Sequence, residues 1–319
     1  GMKIHPAKSQ YITVNSSDMQ PFNIANIEIK KTEKYQYLGT LISNASIADQ
    51  MKNHLDSKSN QTYKFSSFLT KNQDAPYPVK RKVWESALLS SLFYSAESWL
   101  TNNTKPAEQV YSSTLKMLLS VRTTTCTDLC IIEAGERGAT ALIRDRQLNF
   151  IKRLKKRDNY HQSQIAKIIQ LAIRERSPAG RVLSMILSNE LPQNNYAENV
   201  QASNSSRRVA YKLLNPFLDK SLIYAACDVK EIYRIAFTRL RLSSHNLTSE
   251  KGRWTRTPPE SRLCRCGVVQ NDMHVLIFCP LTADIKREMN CFPNYLASLF
   301  DREPKIICEY IFRILELLQ

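Results

Sequence analysis

The sequence has no long apolar run and little glycine. No window of the 319 residues approaches the roughly 18 consecutive apolar residues of a membrane-spanning helix, and the first six residues lack the apolar core of a signal peptide. Seven glycines and 13 prolines exclude a collagen-like or glycine-rich low-complexity protein. We therefore expect a globular intracellular protein, nuclear or cytoplasmic, that does not bind a membrane.

Recognisable catalytic patterns are missing as well. The chain contains no P-loop, no dinucleotide-binding glycine motif, no Ser/His/Asp constellation and no Asp-Asp dipeptide. Two-metal phosphoryl transfer needs carboxylates close to a pair of ions, whereas Asp56, Asp74 and Asp128 each stand without an adjacent acid. We interpret these three as turn or capping residues. The sequence predicts no catalytic residue and no small-molecule substrate.

Cysteines are too few for a disulfide-based fold. Eight cysteines spread over a chain of this length are typical of a protein in a reducing compartment. Cys126 and Cys130 stand four residues apart without a nearby histidine, and we predict that they belong to the core. With 43% hydrophobic residues the chain can bury a sizeable core, and its length allows about two domains.

Positive charge is the main excess. The formal net charge is +16, and two segments supply most of it: residues 137–181 hold 12 basic and 3 acidic side chains, and residues 207–262 hold 12 and 5. Such clusters are typical of a surface that neutralises nucleic-acid phosphates. The alternative is a solvated helix face that only confers solubility. The candidate contacts to a nucleic-acid backbone are Arg144, Arg146, Lys152, Arg153, Lys155 and Lys156.

The first 45 residues contain three β-prone stretches. Residues 11–15, 24–29 and 34–42 carry β-branched and aromatic side chains, and the second alternates apolar and polar positions. Three short strands are too few for a domain of their own, so we expect them to form the edge of a larger sheet. The predicted fold class is mainly α with this short N-terminal β element.

From residue 47 onward the apolar spacing is helical. One apolar stripe runs through residues 79–99, a second helix follows Pro106, and a basic helix extends from about residue 139 to residue 157. Residues 188–206 are rich in Asn and Ser and predict a linker. An amphipathic helix is predicted over residues 306–315 near the end of the chain.

Four residues near the C-terminus have the spacing of metal ligands. Cys264, Cys266, His274 and Cys279 form the pattern C-x-C-x7-H-x4-C, and Gly267 would allow a tight turn after the second cysteine. Three thiolates and one imidazole complete a closed tetrahedral zinc site, which is structural rather than catalytic. The gap between the first two cysteines is tighter than usual. On spacing alone, three buried thiols and an unrelated histidine therefore stay the alternative.

Several motifs follow one another in an order that a known family shares. Residues 1–10, residues 35–42 (Tyr-Gln-Tyr-Leu-Gly-Thr-Leu-Ile) and residues 88–99 resemble parts of non-LTR (LINE-type) retrotransposon reverse transcriptases. They are similar, in turn, to the palm segment after the catalytic aspartates, to the primer-gripping β-hairpin and to a thumb helix. Residues 241–254 and the cysteine–histidine cluster are similar to the C-terminal region of these enzymes, which ends in a zinc knuckle.

The resemblance implies four consecutive parts. Residues 1–45 would be a palm remnant with a primer-grip-like hairpin, residues 46–136 a helical thumb, residues 137–250 a basic helical linker region, and residues 251–319 a zinc-knuckle-like segment with a C-terminal helix. The fingers, the Tyr-x-Asp-Asp palm motif and any nuclease of the family would lie outside this sequence. We therefore expect the last part of a longer polyprotein, a degenerate copy or a host-adopted remnant.

The resemblance also implies a function. The chain would hold template RNA, an RNA–DNA hybrid or target DNA for an RNA-directed DNA polymerase, while being catalytically incomplete by itself. Tyr37, Leu38 and Gly39 would lie near the primer terminus, and Lys3 and Lys8 match the palm segment as exposed lysines. The four ligands of the cluster would hold a structural zinc ion, and magnesium is expected only in the palm outside this sequence.

Two other functions fit the same residues. A host-adopted, non-catalytic RNA- or DNA-binding zinc protein would retain the knuckle and the basic helices. A helical protein-interaction scaffold would use the apolar stripes at 79–99 and 306–318. Trp254, which stands beside Arg253 and Arg256, could stack on a base or belong to the core.

Overall fold

The structure is a computed structural model, and it is mainly helical with a short N-terminal strand element. It describes residues 5, 9–13, 22–24, 27–37, 40–43, 46–188, 190, 195–292, 299–300 and 302–319. Among these residues no helix combines the length and the apolar character needed to cross a bilayer.

The chain divides into two compact units that alternate along the sequence. Unit 1 comprises Gly1–Gln61, Leu89–Val110 and Ala139–Pro192, and unit 2 comprises Thr62–Leu88, Tyr111–Gly138 and Gln193–Gln319. The four consecutive parts that the resemblance implies are a different kind of division, and they stay a prediction.

Unit 1 begins with two small sheets. Strand β1 (Gln10–Tyr11) pairs in parallel with β3 (Ile27–Lys31), which pairs antiparallel with β2 (Phe22–Ile24), so the strand order is β1-β3-β2. Strands β4 (Lys34–Tyr37) and β5 (Thr40–Ser43) form a separate antiparallel pair. The described residues of this region therefore form small sheets of three and two strands.

The strand prediction is confirmed only in part: Tyr11 lies in β1, residues 12–13 are not in a strand, and residues 14–15 lie outside the described residues. Ile24 lies opposite Ile27 in an antiparallel pair, so the stretch predicted as one strand over residues 24–29 contributes to two. Alternation of period two does not distinguish one strand from two that pair with each other. Residues 34–42 supply β4 and most of β5, which pair antiparallel; residues 38–39 between them lie outside the described residues.

Fifteen helices follow in the described part of the chain. They are α1 (Ile47–Ser57), α2 (Ser59–Lys71), α3 (Tyr77–Val83), α4 (Ser90–Leu92), α5 (Lys105–Leu119), α6 (Thr127–Ala134), α7 (Gly138–Lys155), α8 (Gln164–Arg174), α9 (Pro178–Leu187), α10 (Tyr196–Gln201), α11 (Ser206–Leu214), α12 (Glu231–Arg241), α13 (Thr248–Trp254), α14 (Ala283–Glu288) and α15 (Pro304–Leu318). Two π-helical segments, Trp84–Leu89 and His274–Phe278, interrupt this pattern.

In unit 1, helices α7, α8 and α9 share an apolar core. Ile151 of α7 packs with Val182, Leu183 and Ile186 of α9, and α8 covers this cluster from one side. The approach of α8 to α9 is close at Gly180, because a Cβ atom there would lie 1.8 Å from the carbonyl oxygen of Ala172. This core fixes the inner face of the basic helix and leaves its outer face in solvent.

In unit 2, buried ion pairs join helices that are distant in sequence. Glu133 of α6 accepts hydrogen bonds from the Arg241 guanidinium of α12 at 2.9–3.1 Å, and both side chains are almost fully buried. Glu231 similarly accepts from Lys80 and from Arg234 at 2.7–2.9 Å. Since a buried charge is tolerated only when it is paired, these contacts specify how α3, α6 and α12 pack.

The apolar stripe at 79–99 is confirmed only in part. Trp84, Leu88 and Leu92 are buried, but the helical run ends at Leu92, and Ser95 adopts a left-handed backbone with φ 61°. Spacing alone does not reveal such an end, because the apolar side chains beyond it still face inward. The inner face of α15 is buried as well, whereas Val79 at the start of the first stripe is half exposed.

The linker predicted at 188–206 contains a helix. Val200 of α10 is fully buried and α10 packs on α6, so this part of the prediction is wrong. The segment is polar on average, so its composition does not reveal the one apolar residue that packs inward. Burial of a single valine is nevertheless enough to hold a short helix against α6. The core prediction for Cys130 is confirmed, since its side chain is fully buried, while Cys126 is only half-buried.

Candidate metal centre and basic surfaces

Unit 2 brings the four sequence-predicted ligands together. One ligand atom from each of Cys264, Cys266, His274 and Cys279 lies within 4.8 Å of all the others. The Sγ atoms of Cys264 and Cys279 are 3.7 Å apart, and Sγ of Cys266 is 3.2 Å from Nε2 of His274. The alternative of an unrelated histidine is therefore wrong, and this Cys₃His cluster could hold a metal ion.

A tight hairpin presents the first two cysteines. The backbone N–H of Cys264 donates to the carbonyl of Val268 at 2.8 Å, and that of Gly267 donates back to the Cys264 carbonyl at 2.9 Å. Gly267 has φ +86°, a conformation that side chains rarely adopt, and its neighbourhood is open. The turn therefore brings Cys264 and Cys266 to one side, as the sequence predicts for a knuckle.

A π-helical segment presents the other two ligands. His274 begins the segment His274–Phe278, and its backbone N–H is capped by Oδ1 of Asn271 at 2.8 Å. The wider π-helical turn ends with a hydrogen bond of 2.6 Å from the Cys279 N–H to the His274 carbonyl. Cys279 then leaves the helix in an extended conformation, and its sulfur lies within 4.8 Å of a ring nitrogen of His274.

The distances fit a zinc ion better than a disulfide. Zn–S bonds of about 2.3 Å at tetrahedral angles separate two sulfurs by about 3.8 Å, close to the 3.7 Å between Cys264 and Cys279. A disulfide would need sulfurs about 2.0 Å apart. A tetrahedral ion bound by all four side chains would have no open position for a substrate or a catalytic water.

The environment favours the metal-binding form at two of the ligands, whereas burial raises the pKa of the Cys279 thiol to about 11 in the metal-free cluster. Burial raises the pKa of Cys264, but hydrogen bonds from Cys266, Cys279 and Gln270 outweigh it and hold that pKa below its ordinary value. Burial, followed by the charge of Lys286, lowers the pKa of His274, so the neutral imidazole is favoured. A thiolate and a neutral imidazole are the forms that ligate zinc.

The last helix anchors this small module. The Tyr310 hydroxyl of α15 donates to the carbonyl of Leu276 inside the π-helical segment, and Val275 and Leu276 are both fully buried. Arg265, between the first two cysteines, donates to the carbonyl of Leu317 at 3.1 Å. These contacts connect the ligand-bearing loops to a helix that is packed on α12.

The C-terminal half of α7 exposes most of the predicted backbone contacts. Lys152, Arg153 and Lys155 of α7 and Lys156 directly after it are exposed, while the neighbouring Ile151 and Leu154 are buried. None of the four forms an ion pair with another residue that the structure describes. Their charges are therefore available to a polyanion, and the next residue, Arg157, adds a fifth exposed cation.

The prediction for Arg144 is wrong. Its side chain is 3% exposed, and its guanidinium donates to Oε1 of Gln147 and to the carbonyl of Thr101, each at 2.8 Å. Burial lowers the pKa of this arginine, and its hydrogen bonds are used inside unit 1. Arg146 is half-buried and donates to the carbonyl of Phe93, so it is less accessible than the four cations further along α7.

The candidate primer-end residues are only partly described. Tyr37 ends β4 and is 58% exposed, which leaves its ring free to contact a ligand. Leu38 and Gly39 lie outside the described residues, as do Lys3 and Lys8.

One contact was not accessible to sequence reasoning. The guanidinium of Arg122 lies over the ring of Trp254 at 3.9 Å, and Trp254, which the sequence left between base stacking and the core, is half exposed. Arg122 follows α5 and Trp254 ends α13, so no spacing pattern relates them. The positive surface around Trp254 is therefore a finding of the structure.

Comparison with protein-family models, with curated proteins and with solved structures found no match for this chain.

Proposed function

We propose that this protein holds RNA or an RNA–DNA hybrid by its sugar-phosphate backbone, as the non-catalytic C-terminal portion of a retrotransposon-type reverse transcriptase. The observation that carries the proposal is the exposed cluster at the end of α7: Lys152, Arg153, Lys155, Lys156 and Arg157. With no carboxylate paired to these cations in the described part of the chain, a polyanion is the ligand that their charge favours.

The geometry of α7 favours contacts to a backbone rather than to base edges. Its buried row, Ile151 and Leu154, holds one face in the core, and the cations around it point in several outward directions from a single helix end. Long basic side chains arranged in this way neutralise phosphates and release counterions without contacting the base edges that distinguish one sequence from another. A-form duplexes are recognised mainly in this way, through shape and backbone.

Zinc enters the proposal as a structural ion. The Cys₃His cluster would hold it, and its contribution would be to fold the 264–279 module, which buries few apolar side chains of its own. The ion would carry no step of a reaction, because its four ligands complete the tetrahedron.

The reverse-transcriptase origin rests on the order of the sequence motifs. A β-hairpin, a helical region, a basic helix and a cysteine–histidine knuckle follow one another as in the non-LTR enzymes, and the structure contains corresponding elements in β4–β5, α7 and the metal cluster. The sequence has no Asp-Asp pair. We therefore propose binding, and not nucleotide addition, as the activity of this chain.

The experiment compares two variants with the same change in net charge. The α7 variant carries Lys152→Gln, Arg153→Gln, Lys155→Gln and Lys156→Gln, and the control variant carries Lys52→Gln, Lys64→Gln, Lys71→Gln and Lys82→Gln, which are exposed lysines elsewhere. Fluorescence anisotropy with a labelled RNA–DNA hybrid should show at least tenfold weaker binding for the α7 variant only. Equal losses in both variants would show that total charge, rather than this surface, binds the hybrid.

A further inference from the structure

One tryptophan of unit 2 is half exposed to solvent. Trp84 and Trp99 are buried, whereas Trp254 is 49% exposed at the last position of α13. An indole ring has a large, rigid aromatic surface on which a planar group can stack. Exposed rings occur elsewhere in this unit, as at Phe217, so the groups around Trp254 decide whether it can bind a ligand.

An arginine already stacks on this ring and is held in place. The guanidinium of Arg122 lies 3.9 Å from the centre of the Trp254 ring and donates to the carbonyl of His245 at 2.7 Å and to Oδ1 of Asn246. Its backbone N–H donates to Oγ of Ser244 at 2.9 Å. Because these bonds fix the guanidinium beforehand, a ligand that stacks on the indole would lose little side-chain freedom.

More arginines surround this pair than carboxylates. Burial lowers the pKa of Arg122, and the neighbouring charges of Arg239 and Arg207 lower it further against the opposing effect of Glu250. Burial likewise lowers the pKa of Arg253; Glu250 and Asp272 oppose this shift, and repulsion from Arg207 and Arg262 adds to it. Trp254 and five arginines of unit 2 are here called the Trp254 platform: Arg122, Arg207, Arg239, Arg253 and Arg262.

The carboxylates nearby do not neutralise the platform. Glu250 is shared between Arg207 at 2.9 Å and Arg253 at 3.0 Å, which leaves Arg122, Arg239 and Arg262 without a carboxylate among the described residues. Those three donate only to neutral groups, as Arg239 does to the carbonyl of Ser120 at 2.8 Å. A bound anion would relieve the repulsion among them.

We propose that the Trp254 platform is a second nucleic-acid site, which stacks one unpaired base on the indole while the arginines neutralise the adjoining phosphates. A nucleotide is the ligand that offers an aromatic face and an anion side by side, and an acidic peptide offers only the anion. The base must be unpaired, because bases inside a duplex present only their edges. This inference rests on the proposed nucleic-acid-binding function and adds single-stranded nucleic acid to its ligands.

The experiment uses the full chain with two DNA 12-mers, oligo(dT) and a strand of the same length made entirely of abasic sites. Both carry the same phosphates, and only the first carries bases. Oligo(dT) should quench the fluorescence of Trp254, the exposed tryptophan, and should bind about tenfold more tightly than the abasic strand. Trp254→Leu should reduce oligo(dT) binding to the level of the abasic strand and leave abasic binding unchanged. Phe217→Leu, which removes an 84% exposed aromatic ring of the same unit, is the matched control and should change neither affinity.

The outcomes separate this site from the α7 surface. Equal affinity for the two strands, or equal effects of Trp254→Leu on both, would overturn the platform and leave the α7 proposal standing. The four-glutamine α7 variant should bind both strands more weakly by the same factor, so the ratio of the two affinities should stay the same. Absence of binding to both strands and to the RNA–DNA hybrid would overturn both proposals.

Discussion

The buried pair of Glu133 and Arg241 allows the sharpest stability prediction. The carboxylate of Glu133 is fully buried and accepts from Nε and Nη2 of Arg241, from the Tyr211 hydroxyl at 2.8 Å and from the Tyr224 hydroxyl at 3.0 Å. Arg241→Met keeps the apolar stem and removes the guanidinium. We expect the free energy of unfolding to fall by about 3–5 kcal/mol, because an unpaired charge is left in the core.

A double-mutant cycle isolates the pair. In Glu133→Leu/Arg241→Met neither charge remains. The Tyr211 hydroxyl still accepts from Asn215 at 2.9 Å and the Tyr224 hydroxyl still pairs with Thr238 at 2.8 Å, and the lost acceptor Glu133 is common to the single Glu133→Leu and the double variant. The double variant should therefore lose at least about 1.5 kcal/mol less than the sum of the two single variants. The measurement is urea unfolding followed by circular dichroism.

An exposed ion pair supplies the control for this cycle. Arg174 and Glu175 are 3.0 Å apart but 75% and 61% exposed, so their coupling should stay below about 0.5 kcal/mol. Additive losses at Glu133 and Arg241, or a coupling no larger than that of the exposed pair, would refute the reasoning that burial makes this contact strong.

Two further predictions concern the metal cluster and a buried histidine. Metal analysis of the purified protein should give about one zinc per chain, and Cys266→Ser should lose it. Cys227→Ser, which changes an exposed cysteine outside the cluster, should retain it. A metal-free protein with unchanged thermal unfolding would contradict this prediction. Burial, followed by the charge of Lys58, lowers the pKa of His54 below its ordinary 6.5, so the unfolded chain binds this proton more readily. Stability should therefore fall as the pH drops below about 6.5, by at most about 1.4 kcal/mol per pH unit. His54→Gln should flatten the dependence of Tm on pH between 7 and 5.5, and an equally steep profile would refute the assignment.

The metal ligands could be predicted from the sequence because they are local. Cys264 to Cys279 is a short segment in which the turn at Gly267 and the chain length restrict where the sulfurs can lie. The basic face of α7 was predictable for the same reason, since the apolar row of Leu148, Ile151 and Leu154 determines which side of a helix is buried.

Other features depend on tertiary contacts that no spacing pattern contains. Arg144 looks like its basic neighbours in the sequence, yet the carbonyl of Thr101 and the amide of Gln147 draw it into the core. The stacking of Arg122 on Trp254 joins two distant segments. Both cases show that a charged side chain is assigned to the surface or the interior by its partners, which only the folded chain provides.

The salt dependence of hybrid binding tests the central claim most directly. Each phosphate-contacting cation contributes about one unit to the slope of log affinity against log salt concentration. Between about 50 and 200 mM salt, the four-glutamine α7 variant should therefore show a slope about three to four units shallower than that of the wild-type chain and of the Lys52, Lys64, Lys71, Lys82 control. A wild-type affinity that does not change with salt, or an α7 variant with an unchanged slope, would contradict the account.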